Sequence, residues 1–153
     1  MTRQEKYPDT GMFHFYNANP KNRFTTDCVI RAICTALQIS YSKVVMEMAE
    51  LQCKTGYDMS ENKLIDKYLQ SKGWKKHKQP RKENGKKYTG KEFCMYLKHY
   101  SDLSYYPNHI KGNVIANIGG HHTVCFFKEG NNYRCFDTWD STDGSIGNYW
   151  VKE

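Results

Sequence analysis

The sequence lacks any long apolar run. Its longest strictly apolar stretches, such as Val124–Phe127, are only a few residues, whereas a membrane-crossing helix needs about 20, so no membrane contact is expected. It also lacks CxxC and HExxH, the tight ligand pairs from which most zinc sites are built, and no metal or cofactor is expected. Six cysteines (28, 34, 53, 94, 125 and 135) are too sparse for a disulfide scaffold. The opening MTRQEKYPDTG has no apolar core, so no secretory leader is expected. Reduced thiols in a cytoplasmic setting follow. Five of the six cysteines are expected to be small buried hydrophobes.

Acid is also scarce: 16 Asp and Glu stand against 23 Lys and Arg, for a net charge of +7. The excess is local. Lys72–Lys91 holds eight Lys and one Arg against one Glu, a net +8, so the rest of the chain sums to −1. With Gly73, Pro80 and Gly85 as breakers, this segment reads as a protruding basic loop or edge hairpin. It is either a solvated surface or a contact for nucleic acid or an acidic partner.

What is present in quantity is aromatic. Mean hydropathy is −0.83, yet 14% of residues are Phe, Trp or Tyr, and disordered chains are poor in these. At 153 residues the chain is expected to form one domain, 1–153, with a core that needs no staple.

Residues 1–25 show no lasting period and read as loop and short extended pieces. From Cys28, Val29, Ile30, Ile33, Ala36 and Leu37 recur at helical spacing, with Thr25, Thr26 and Asp27 as cap candidates. A second helix follows Ser40 or Ser42, and a third runs from near Ser60 to Gly73. Thr89-Gly-Lys-Glu92 has capping-box spacing and opens a fourth. After Pro107 the character becomes β: Asn113–Ile118, His121–Lys128, a hairpin turn at Glu129-Gly-Asn-Asn132, Tyr133–Phe136 and Ile146–Val151. Helices first and antiparallel strands afterwards predict an α+β domain.

The chemistry is concentrated in three places. Cys28 opens a helix, where free N–H groups and the helix dipole favour a thiolate. Gly119-Gly120-His121-His122 places histidine at the start of a strand, and Asp137 ends the next strand of the hairpin. Strand start and neighbouring strand end are adjacent in an antiparallel pair, so His121 or His122 can meet Asp137. Nucleophile, base and orienting carboxylate in that arrangement are the parts of acyl transfer through a thiol. Each residue alone has a plainer role, as packing thiol, surface histidine or Asx-turn carboxylate. Together their order and placement point to a site. Arg31, one turn beyond Cys28, is expected to pair with an acidic residue beside the site, and Trp139 to shield the His–Asp pair from water.

These residues resemble the papain-like cysteine hydrolases with chain order Cys, His, Asp/Asn. TDCVIRAI is similar to the Cys-bearing helix entry, GGHHTVCFF to the Gly-His strand, and FDTWDS to the element bearing the orienting residue. The likeness runs from about Asn22 to Trp139 and is nearest to small uncharacterised members from bacteriophages and bacteria. It implies a papain-like α+β fold with Cys28, His121 and Asp137 as triad. The H-x-T pattern selects His121; the family's His-x-Val pattern would select His122. It also implies an amide upstream of the cysteine as oxyanion donor with the Cys28 N–H. Asn22 fits, where many members carry Gln, with Asn17 and Asn19 as alternatives. The activity implied is cleavage of a peptide, isopeptide or other amide bond through a thioester, or transfer of the acyl group to an amine. The competing expectation is a non-catalytic module that binds through 72–91.

Overall fold

A computed structural model describes residues 1–102 and 110–153; Pro107 lies outside them. The described residues form five helices and one six-stranded mixed sheet, an α+β arrangement. No single helix among them is long and apolar enough to cross a membrane.

The helices begin and end where local chemistry dictates. After the short α1 (Arg3–Lys6), α2 (Cys28–Leu37) buries Val29, Ile30, Ile33 and Ala36 and stops at Gln38, which takes a left-handed φ of 56°. Helix α3 (Tyr41–Thr55) is capped by Ser40, whose Oγ accepts from the Lys43 N–H at 3.2 Å. Helix α4 (Asn62–Ser71) buries Leu64, Ile65, Tyr68 and Leu69. Helix α5 (Gly90–Asp102) opens with the expected capping box: Thr89 Oγ1 accepts from the Glu92 N–H, and Glu92 Oε1 accepts from the Thr89 N–H. Gly90 is needed there, because a Cβ would lie 2.8 Å from the Thr142 Cα.

The strands are β1 (Phe13–Phe15), β2 (Trp74–His77), β3 (Val114–Ile118), β4 (His122–Glu129), β5 (Asn132–Asp137) and β6 (Ile146–Lys152), in the spatial order β1-β5-β4-β3-β6-β2. The β4–β5 hairpin turns through Gly130, at φ 62°, and Asn131, with Glu129 opposite Asn132. Alternation along the central strands serves two cores. Ile115, Cys125 and Trp150 pack under α2, α3 and α4. Val114, Ala116, Val124 and Phe126 pack under Phe93 and Leu97 of α5. The sheet is thus the middle of three layers.

Two expectations are made more specific here. The sheet is not wholly antiparallel: Phe13–Phe15 pairs in parallel with Cys135–Asp137, and Phe13 is fully buried. A three-residue strand is too short to show a period of two, so it is not distinguishable among the loop and short extended pieces expected of residues 1–25. The basic segment, expected as a loop or edge hairpin, holds an edge strand and a turn. Trp74–His77 pairs antiparallel with Tyr149–Lys152 as an edge strand, with Trp74 only 6% exposed, and a turn follows in which Arg81 bridges Lys87. Lysines on an edge strand keep their charges in water while the backbone pairs on one side.

Candidate functional site

Helix α2 lies across the sheet with its first residue, Cys28, facing the start of β4. Asp27 occupies the cap position, but its carboxylate makes no capping bond. It instead accepts from Arg31 Nε (2.8 Å), Tyr41 Oη (2.6 Å) and Asn19 Nδ2 (3.0 Å). The N–H groups of the first turn of α2 therefore have no side-chain cap and face whatever anion forms at Cys28.

The histidine that meets this thiol is His122. Its Nε2 is 2.5 Å from Asp137 Oδ2, and its side chain also hydrogen-bonds the Cys28 thiol, which leaves Nδ1 for the sulfur. His121 is exposed and is not joined to Asp137, so the expectation that placed it as base is corrected. The reason is register. Cys125 stands opposite Phe136, which brings Val124 opposite Asp137 and puts position 122 on the carboxylate's face. His121 lies in the turn before β4.

Asp137 is 2% exposed and fully engaged. Oδ2 holds His122, while Oδ1 accepts from Arg31 Nη1 at 2.5 Å and from the Thr138 N–H at 2.7 Å. Arg31, 8% exposed, thus links Asp137 to Asp27. Its expected acidic partner is the orienting carboxylate itself. A buried guanidinium between two carboxylates is compensated on both sides.

The protonation states follow from this packing. Burial pushes the Cys28 thiol up, but hydrogen bonds from His122 and the Thr123 backbone, with the charges of His122 and Arg31, bring it net below its ordinary value. Burial pushes His122 down, but Asp137 and Cys28 outweigh it and raise the imidazole to about 9. These surroundings favour a proton on the imidazole over one on the sulfur more than a free thiol and a free imidazole would. The other cysteines differ. Burial raises Cys34, Cys94, Cys125 and Cys135, none of which has an anion-stabilising histidine beside it.

Trp139 packs against the imidazole, ring centroids 4.9 Å apart and tilted at 39°. Beside it opens a cleft of about 380 Å³, walled by Ile118, His122, Trp139, Ser141 and Gly144. Of the three amides considered for the oxyanion, Asn19 Nδ2 is held by Asp27 and Tyr41, and Asn17 Nδ2 donates to the Arg23 carbonyl and Asn22 Oδ1. Asn22 is exposed at φ 53°, and its Nδ2 has no acceptor among the described residues. No cluster of three or more metal-ligating side chains occurs among the described residues.

Sequence reasoning missed the hold that Tyr41 and Asn19 take on Asp27, which depends on how the start of α3 and the loop before α2 fold back on the cap of α2. The choice of histidine, in contrast, had a signal: a two-residue hairpin turn at Gly130-Asn131 already sets the register that puts 122 with 137. Set against family models, curated proteins and solved structures, the chain matches none of them.

Proposed function

We propose that the protein is a papain-like cysteine hydrolase that cleaves a peptide, isopeptide or related amide bond through a thioester. The observation that carries this reading is the continuous chain Cys28–His122–Asp137 at a helix N-terminus, with the imidazole protonated by its surroundings. Cys28 Sγ attacks the carbonyl carbon, and the oxyanion takes the Cys28 N–H and Asn22 Nδ2 as donors. His122 gives its proton to the departing nitrogen as the C–N bond breaks, leaving an acyl thioester and a free amine. Water, deprotonated by His122, then attacks the thioester and releases the acid and the thiol. An amine in place of water completes an acyl transfer on the same residues. Asp137 holds the ring in position, and Arg31 holds Asp137.

The test is intact-mass analysis after exposure to electrophilic acyl and peptide probes, followed by peptide mapping. A single adduct on Cys28, absent in His122→Ala, is expected. Equal modification of the accessible thiols, or none on Cys28, defeats the hydrolase reading and leaves a binding module.

A further inference from the structure

A second polar groove adjoins the cleft beside His122. It has a volume of about 580 Å³ and shares Gly119 with that cleft. Its floor is made by an irregularity in the sheet. Ala116 pairs with Tyr149 and Ile118 with Ile146, so Asn117 alone faces both Gly147 and Asn148. Such a bulge opens the ladder and re-aims side chains. Gly147 keeps the floor low, since a Cβ there would sit 3.2 Å from the Asn117 Cβ. The wall is Gln79 and Lys87, from the basic segment. In the same segment as these two residues, Lys76, Lys78, Arg81, Lys86 and Lys87 are exposed, and none has an acidic partner among the described residues. By contrast, the two acids lining the nearer cleft are engaged: Asp143 pairs with Lys91, and Asp140 accepts from Thr142.

We infer that this groove receives the leaving-group half of the substrate and selects an extended peptide segment bearing carboxylates. The assignment to the leaving-group side rests on the hydrolase reading: the departing nitrogen must lie within reach of His122, which protonates it, so the chain beyond it runs over His122 toward Gly119. The Gly119 N–H and Gln79 Nε2 are already given to the Ser145 and Ile146 carbonyls, which leaves the Gly119 carbonyl, the Gly120 backbone, Gln79 Oε1 and Asn148 as donors and acceptors for an extended main chain. The unpaired lysines supply the charge complement. A nucleic acid fits less well, because no aromatic face lines the groove for a base to stack on.

Fluorescence anisotropy with a labelled octaglutamate peptide tests this in the full chain, beside an octaglutamine peptide and an oligothymidylate. Losing two partly solvated ion pairs in Lys86→Gln/Lys87→Gln is expected to weaken octaglutamate binding about tenfold and to flatten its salt dependence. The equal charge loss in Lys43→Gln/Lys98→Gln should change binding little. Octaglutamate should also slow alkylation of Cys28. Equal weakening in both double variants, octaglutamine binding as tightly, oligothymidylate displacing the peptide, or unprotected Cys28 each overturns the inference. An inert Cys28 with binding still governed by Lys86 and Lys87 would instead overturn the hydrolase reading and the leaving-group assignment, while leaving an acidic-peptide groove.

Discussion

Arg31 and the lysines of β2 and its following turn carry the same charge in opposite surroundings. Arg31 sits in the core between Asp27 and Asp137, with side-chain exposures of 9%, 9% and 2% for the three residues. Lys75, which reaches Glu153 at 3.7 Å, is 61% exposed, and its partner 65%. In the first region each charge is compensated by hydrogen bonds within the protein. In the second, water does most of the compensation, and the charges remain available to an outside partner. Burial, rather than charge count, separates a charge locked into the fold from one left to the solvent.

The comparison breaks most sharply at Arg31. Arg31→Ala leaves Asp27 and Asp137 buried without their cation, and a loss of about 3–5 kcal/mol is expected in denaturant unfolding. Alkylation of Cys28 should lose its low-pH reactivity at the same time, because the carboxylate that orients His122 is no longer held. Unchanged stability would mean that water takes the place of the guanidinium.

Next in size is Trp74, the residue that makes the basic segment part of the fold. Trp74→Ala is expected to cost about 3 kcal/mol, as for other buried aromatics cut to Ala, read as a lower unfolding midpoint. A negligible effect would return β2 to the status of a disposable loop.

The paired site sets two pH dependences of opposite sign. His122 is raised from 6.5 to about 9, so its contribution to stability is complete below about pH 6.5 and is lost as pH rises through about 9. The stability gap between the wild type and His122→Gln should therefore narrow over that window. Cys28 is lowered, so its contribution is present above the ordinary thiol value and is lost as pH falls through the depressed one. Iodoacetamide rates should show a midpoint below the free-thiol value of about 8.5. Asp137→Asn should move that midpoint up and cost less activity than Cys28→Ala, since the amide can still accept from the ring.

The smallest effect belongs to the edge. Replacing Lys76, Lys78, Lys86 and Lys87 by Gln should shift thermal stability by less than about 0.5 kcal/mol per residue, in either direction. A large loss would show that these side chains pack rather than solvate.

Much of this was readable in the residues themselves. The step of three and four from Val29 to Leu37, the Thr89–Glu92 box and the Gly130-Asn131 turn act within a few residues of themselves. They therefore specify α2, α5 and the β4–β5 hairpin without help from elsewhere, and that hairpin's register also decides that position 122 shares a face with Asp137. Distant pairings had no such local mark. Phe13–Phe15 becomes a strand only because β5 offers a parallel edge, and Trp74–His77 only because β6 offers an antiparallel one. Arg31 meets a carboxylate 106 positions away, a contact that depends on how α2 crosses the sheet. Local propensity and turn geometry lie in neighbouring residues, whereas burial, and with it the protonation of Cys28 and His122, exists only once helix and sheet have closed on each other.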